Sequence, residues 1–154
     1  MRRSPRSRWW ISSKGCVRAK VETRARARAL QALYAWDMRP GQQLERVATQ
    51  IWDDLRVSPD ERKRAAVLVR TVISEGAGID RALRDVTVNW RLERIGAIER
   101  SVLRLGSAEL GLDDTPPRVV IQEAVKLAER YGSAQSARFV NGVLDALARQ
   151  MGKL

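Results

Sequence analysis

From residue 23 onward, apolar positions recur three and four apart, and no segment alternates with the two-residue period of a half-buried strand. That period predicts an all-helical chain. The first helix is expected over 23–38, where Ala25, Ala29, Ala32 and Trp36 form one row that Leu30, Leu33 and Tyr34 widen into a core face. Pro40 and Gly41 end it. A second helix is expected over 43–55, with Leu44, Val47, Ala48, Ile51 and Leu55 turned inward. The third has the clearest start: Ser58 is the N-cap, Pro59 takes the first helical position, and Glu61 closes a Ser-x-x-Glu capping box. Val67, Leu68, Val72 and Ile73 carry its face. Gly76 and Gly78 are expected to weaken or kink it before Ile79, Leu83 and Val86.

A fourth helix is expected over 92–110 on Ile95, Ile98, Val102, Leu103 and Leu105. The stretch from Asp113 to Pro117 breaks the pattern, and Thr115 is the expected cap of a fifth helix. That helix carries Val120, Ile121, Ala124, Val125, Leu127 and Ala128 to Tyr131 and stops at Gly132. The sixth, over 134–150, turns Phe139, Val140, Val143, Leu144 and Leu147 inward. Asn141 and Gly142 sit inside this pattern, where glycine costs about 1 kcal/mol relative to alanine. The expected reason is a second backbone packed close against Gly142, with Asn141 bonded to a neighbouring helix end or loop. Six or seven helices with short connections make an all-α bundle, and no fixed-period repeat points to a solenoid.

Charge divides the chain in a way that hydropathy does not. The 154 residues carry 29 lysines and arginines against 18 acids, a formal net charge of +11. Ten of those basic residues lie between Met1 and Arg28, opposed there by Glu22 alone, so the remainder is close to neutral. Residues 1–21 show neither helical nor strand period and are expected to form a disordered basic extension, ahead of a helical domain over 22–150. A second reading of residues 1–20 places them upstream of the native start, with Val17 or Val21 as the initiating residue. If the segment is native, the Trp9–Trp10 pair adds stacking to a cationic handle for a polyanion.

Catalytic chemistry finds little support. There is no histidine, the commonest general base and metal ligand, and the single Cys16 excludes an internal disulfide and a cysteine-rich zinc site. The carboxylate pairs Glu93/Glu99 and Glu123/Glu129 are six apart and do not share a helical face, while Asp53 and Asp54 point apart. Gly76-Ala77-Gly78 lacks the lysine and hydroxyl of a phosphate-cradling loop. The expectation is a protein that is not an enzyme, with no cofactor and no metal. No apolar run approaches the roughly 20 residues of a membrane span, and Trp9-Trp10-Ile11 is followed at once by Ser12, Ser13 and Lys14, so no secretory core exists. A cytoplasmic protein is expected.

Arg24, Arg26 and Arg28 alternate with alanines. On a helix, residues four apart lie about 40° from one another and residues two apart about 200°. Arg24 and Arg28 therefore share a face and Arg26 does not, giving a collar of guanidinium groups around the first turns of the first helix. Cations there oppose the helix dipole, which a phosphate backbone lying across the collar would explain. A solubilising arginine-rich face is the plainer alternative.

Arg24-Ala25-Arg26 followed by Ala29-Leu30-Gln31-Ala32-Leu33-Tyr34 resembles the opening of the NusB family of transcription antitermination factors. Asn89-Trp90, Leu92, Arg94-Ile95, Ile98-Glu99-Arg100 and Leu103-Arg104-Leu105 to Glu109-Leu110 resemble its central signature. Pro117 with Val120-Ile121-Gln122-Glu123-Ala124-Val125 and Leu127-Ala128 matches the next block, and Phe139-Val140-Asn141-Gly142-Val143-Leu144-Asp145 the last. Four blocks in order cover about residues 22–148. The resemblance implies two packed three-helix subdomains that bind a boxA-type single-stranded RNA of ribosomal RNA operon leaders together with NusE, a small-subunit ribosomal protein. It implies a place in an RNA polymerase assembly that resists termination.

By the same resemblance Arg24 and Arg26 fall on an arginine-rich motif that contacts RNA phosphates. Arg28 is added on charge alone, since it departs from the family pattern. Gln135, Arg138 and Phe139 align with a segment placed beside the same RNA, Gln135 standing where some members have an acid. Phe139 either stacks a base or belongs to the core, the favoured reading because it heads the apolar row. Tyr34 and Glu99 match positions used toward NusE; ordinary surface or core is the alternative for each. Two other readings stay open: the orphaned RNA-binding domain of a ribosomal RNA cytosine methyltransferase, and a non-catalytic homodimeric scaffold.

Overall fold

The computed structural model describes the backbone from Pro5 and the side chains from Arg18 to Leu154. Side-chain expectations for residues 1–17, including the Trp9–Trp10 pair and Cys16, lie outside the described residues, but the backbone from Pro5 onward is helical, which corrects the disordered extension expected over 1–21. Residues 18–21 are helical and continue into the first helix.

Six α-helices follow in order: α1 (Pro5–Asp37), α2 (Leu44–Asp54), α3 (Pro59–Val86), α4 (Ala97–Leu112), α5 (Pro117–Tyr131) and α6 (Ala134–Gln150). A short 3-10 turn, Leu92–Arg94, precedes α4. No strand occurs among the described residues. Helices α1, α2 and α3 pack on one another, as do α4, α5 and α6, and α4 lies against both α1 and α3 to join the two groups. The apolar rows read from the sequence meet in one core, with Leu30 and Leu33 of α1, Leu68 and Leu83 of α3, Leu103 and Leu110 of α4, and Leu144 of α6 all fully buried, whereas Leu55 and Ile73, expected to face inward, are exposed.

Local chemistry sets most boundaries. Ser58 caps α3, accepting a hydrogen bond from the Glu61 amide at 3.5 Å with Pro59 at the start. Ser133, unremarked in the sequence, does the same for α6 through the Ser136 amide at 3.1 Å. Three expectations need correction. Thr115 does not cap α5: Pro116 holds the N-cap position, and the Thr115 hydroxyl donates to Asp114 at 3.2 Å. The predicted fourth helix is split, because Ile95 and Gly96 are extended and α4 begins at Ala97. Arg100 supports that break, donating to the carbonyls of Ile95 at 2.8 Å and Leu92 at 3.4 Å. Helix α3 runs unbroken through Gly76 and Gly78.

The glycine argument for α6 also moves. Gly142 is exposed, and a Cβ added there would meet nothing within 4 Å. Asn141 is exposed beside it. The close approach is at Gly106 of α4, where a Cβ would stand 2.8 Å from the Leu144 side chain of α6. The α4–α6 contact is thus made by a glycine on α4 receiving a leucine from α6.

Candidate nucleic-acid interface

The three arginines of α1 have three different environments. Arg24 is exposed, its side chain retaining 68% of its accessible surface, with Glu61 3.7 Å away. Arg28 is half-buried, 3.7 Å from the other Glu61 oxygen, and donates to Gln31 at 3.2 Å. Arg26 is only 3% exposed. Its Nε donates to both oxygens of Glu109, at 3.0 and 2.9 Å, and its Nη2 donates to Glu109 at 2.6 Å. Glu109 is itself 1% exposed, and it also receives Arg64 at 3.4 Å. Arg64 in turn clasps Asp114 through two bonds of 2.6 and 3.0 Å.

The expected collar is therefore corrected. Residues 18–23 are already helical, so the arginines lie inside α1 and not at its first turns, and the dipole argument falls away. Arg26 sits on the row it shares with Leu30 and Leu33, four and seven residues on, which faces the core. Its planar fork is closed by a carboxylate and is not presented to solvent. Burial works against the Arg26 charge, but the hydrogen bonds and charge of Glu109, with Glu123 and Glu22 beyond, outweigh it and hold the pKa above the ordinary value. The signal was present in the sequence: Glu109 lies on α4's apolar row with Val102 and Leu105, so two opposite charges each occupied a core-facing position. Glu61, expected to close the α3 capping box, instead turns its buried carboxylate toward Arg24 and Arg28.

A second cluster forms where the loop after α3 meets the start of α6. Phe139 is half-buried, packed against the core on one side and against Trp90 on the other, with ring centroids 6.0 Å apart at 67°. Phe139 thus lies at the edge of the core, with part of its surface exposed. Gln135 and Arg138 are exposed on the same helix. The rings border a cleft of about 270 Å³ that Gln135, Glu99 and Ser136 also line. Glu99 accepts a hydrogen bond from the Ser136 hydroxyl, and its other oxygen occupies the space a side chain on Gly96 would take. That places an acid at the third position of α4, where the helix dipole favours it.

The two residues expected to face a protein partner stand on different helices, α1 and α4. Glu99 lines the cleft, whereas Tyr34 projects from α1, 39% exposed, one turn before Asp37, which pairs with Arg100 of α4 at 2.5 Å. No cluster of three or more metal-ligating side chains exists among the described residues, and no described helix is long and apolar enough to cross a membrane.

The sequence model of the NusB family matches residues 23–149. The chain belongs to the NusB family. It is 42% identical over 130 residues to the transcription antitermination protein NusB of Sorangium cellulosum, covering 84% of this chain and 92% of that one. The corresponding protein of Anaeromyxobacter dehalogenans is 43% identical over 129 residues, covering 82% and 89%. Among solved structures, T. maritima NusB superposes with a TM-score of 0.78 at 32% identity, over 83% of this chain and 90% of that chain. A chain from a crystal structure of antitermination factors NusB and NusE in complex with dsRNA gives 0.79 at 30% identity, over 85% and 98%. The relatives matched across nine-tenths of their length are antitermination proteins, which favours that reading over the methyltransferase one.

Proposed function

We propose that this NusB-family chain is a cytoplasmic, non-enzymatic transcription antitermination factor. It binds a boxA-type RNA of ribosomal RNA operon leaders together with NusE and brings that RNA to the RNA polymerase assembly. The observation that carries the reading is the match to the family over 23–149, joined to a structural neighbour that holds NusE and RNA. That neighbour's RNA is double-stranded. The single-stranded form proposed for this chain rests on the exposed aromatic edge beside Gln135 and Arg138, which can act only on bases freed from a duplex.

In this reading Arg24 and Arg28 meet phosphates, and Arg138 extends the cationic track. Arg26 acts through Arg24: by locking α1 to α4 through Glu109, it fixes the face on which Arg24 stands. Tyr34 and Glu99 are proposed toward NusE, Tyr34 through an exposed ring edge and hydroxyl. Fluorescence anisotropy of a labelled boxA-like RNA, titrated with and without NusE and against a scrambled RNA of equal length, tests the proposal. Preference for the boxA-like RNA, tightened by NusE and weakened by Arg24→Ala, is the expected result. Equal binding to both RNAs, unchanged by NusE, would overturn it.

A further inference from the structure

Trp90 is the described tryptophan that the fold does not use. Trp36 and Trp52 each donate their indole N–H to a backbone carbonyl, of Gln42 at 2.9 Å and of Arg28 at 3.1 Å. Trp90 is 60% exposed, and among the described residues its indole N–H has no partner. Its backbone, by contrast, is pinned. The Trp90 amide donates to the Thr87 carbonyl at 2.8 Å, and buried Thr87 anchors to the Leu83 carbonyl at 2.6 Å. A fixed backbone carrying a large exposed ring is a presented group, not a loose one.

What surrounds the ring narrows its partner. Phe139 meets it edge to face, so the two rings make an open corner and not a closed stack. The adjoining cleft of about 270 Å³ falls below the roughly 300–1,000 Å³ usual for whole small-molecule ligands. That size suits one planar ring. In the cleft's polar lining, Gln135 can meet a hydrogen-bonding edge. Arg94 lines it, and Arg91 and Arg138, the chain neighbours of Trp90 and Phe139, are exposed. They form no ion pair among the described residues, whereas Arg62, Arg64, Arg100 and Arg104 are held by acids. A planar polar ring attached to anionic linkages matches this set: an unpaired nucleobase with its flanking phosphates.

We propose that Trp90 and Phe139 form a base-binding corner, in which one unpaired base of the RNA stacks on the exposed face of Trp90 while Gln135 meets its polar edge. The proposal rests on the RNA-binding reading above and adds Trp90 as an affinity-determining residue. Stacking is insensitive to counterion release, so the corner contributes affinity without adding to the salt dependence that the arginines impose.

The test uses the full chain with NusE and a boxA-like RNA, alongside a series of the same RNA made abasic at one position at a time. Trp90→Ala is expected to weaken binding roughly 5- to 160-fold, the range of base–aromatic stacking. The log–log salt slope stays unchanged, and Trp90→Phe keeps most of the affinity. At one abasic position the Trp90→Ala loss is expected to vanish, which locates the stacked base. Thermal melts of Trp90→Ala at the wild-type temperature confirm that the exposed substitution leaves the fold intact. Wild-type affinity in Trp90→Ala, a loss equal across every abasic RNA, or a lowered salt slope would each overturn the corner while leaving the RNA reading standing. Failure of the wild-type protein to prefer the boxA-like RNA over the scrambled one would overturn both.

Discussion

Two regions of this molecule invert the usual placement of side chains. Between α1 and α4 the protein buries a full charge pair, Arg26 at 3% exposure and Glu109 at 1%, while beside α6 it leaves Trp90 60% exposed. The difference teaches that residue type alone does not decide burial; the available partner does. A guanidinium fork closed by both oxygens of a carboxylate has its donors satisfied and its charge compensated, so it can leave water. An indole with no buried carbonyl in reach has no such exit. The first region builds the scaffold, and the second offers a surface.

The comparison breaks most readily at Arg26. Arg26→Ala removes the three short hydrogen bonds that hold buried Glu109 and leaves it Arg64 alone at 3.4 Å, which is expected to cost about 3–5 kcal/mol in denaturant unfolding. Arg24→Ala, two residues away on the exposed face, should stay within about 0.5 kcal/mol. Equal, small effects from both would sink the distinction between scaffold and contact. It also follows that RNA binding lost in an Arg26 variant reports the fold before it reports a contact.

Next comes the pair of glycines on the two sides of the same divide. Gly106→Ala forces a Cβ to 2.8 Å from Leu144 and is expected to destabilise by about 1–3 kcal/mol. Gly142→Ala enters open space on an exposed helix face and should stabilise by about 0.5–1 kcal/mol. Destabilisation by Gly142→Ala would show that α6 is covered there after all.

A smaller effect appears with acid. The hydrogen bonds from Arg64 hold the Asp114 carboxyl below its ordinary value, aided by Arg64's charge and Thr115 and opposed by partial burial. Because the folded-state pKa is the lower one, this stabilisation is present above the unfolded value of about 3.9 and is lost as pH falls through the folded value. Asp114→Asn is therefore expected to flatten the fall in thermal stability below about pH 4. An unchanged acid profile would mean that the clasp adds nothing at this exposed end.

The smallest shift is read in salt. If Arg24 contacts one phosphate, Arg24→Ala lowers the magnitude of the log–log salt slope of RNA binding by about 0.7. A slope equal to the wild type's would remove Arg24 from the interface and leave Arg28 and Arg138 to carry it.

By itself, the sequence determined the helices, their order and most of their ends. Those features arise from groups within a few residues of one another: the three-four period of apolar positions, Ser58 and Pro59 at the start of α3, and Gly132 after α5. The family blocks were legible for the same reason, since they are contiguous runs. Tertiary structure alone decided which arginine faces water. The partner of Arg26 lies 83 residues away on α4, and no local rule distinguishes a guanidinium that will find a buried carboxylate from one that will not. It likewise split the predicted fourth helix, where Arg100 satisfies the carbonyls of Leu92 and Ile95 in place of helical amides. It moved the close helix contact from Gly142 to Gly106, because which face of a helix meets a neighbour depends on where that neighbour comes to rest. And it set Trp90 against Phe139, 49 positions apart in number but edge to face in space, when neither residue's local sequence names the other.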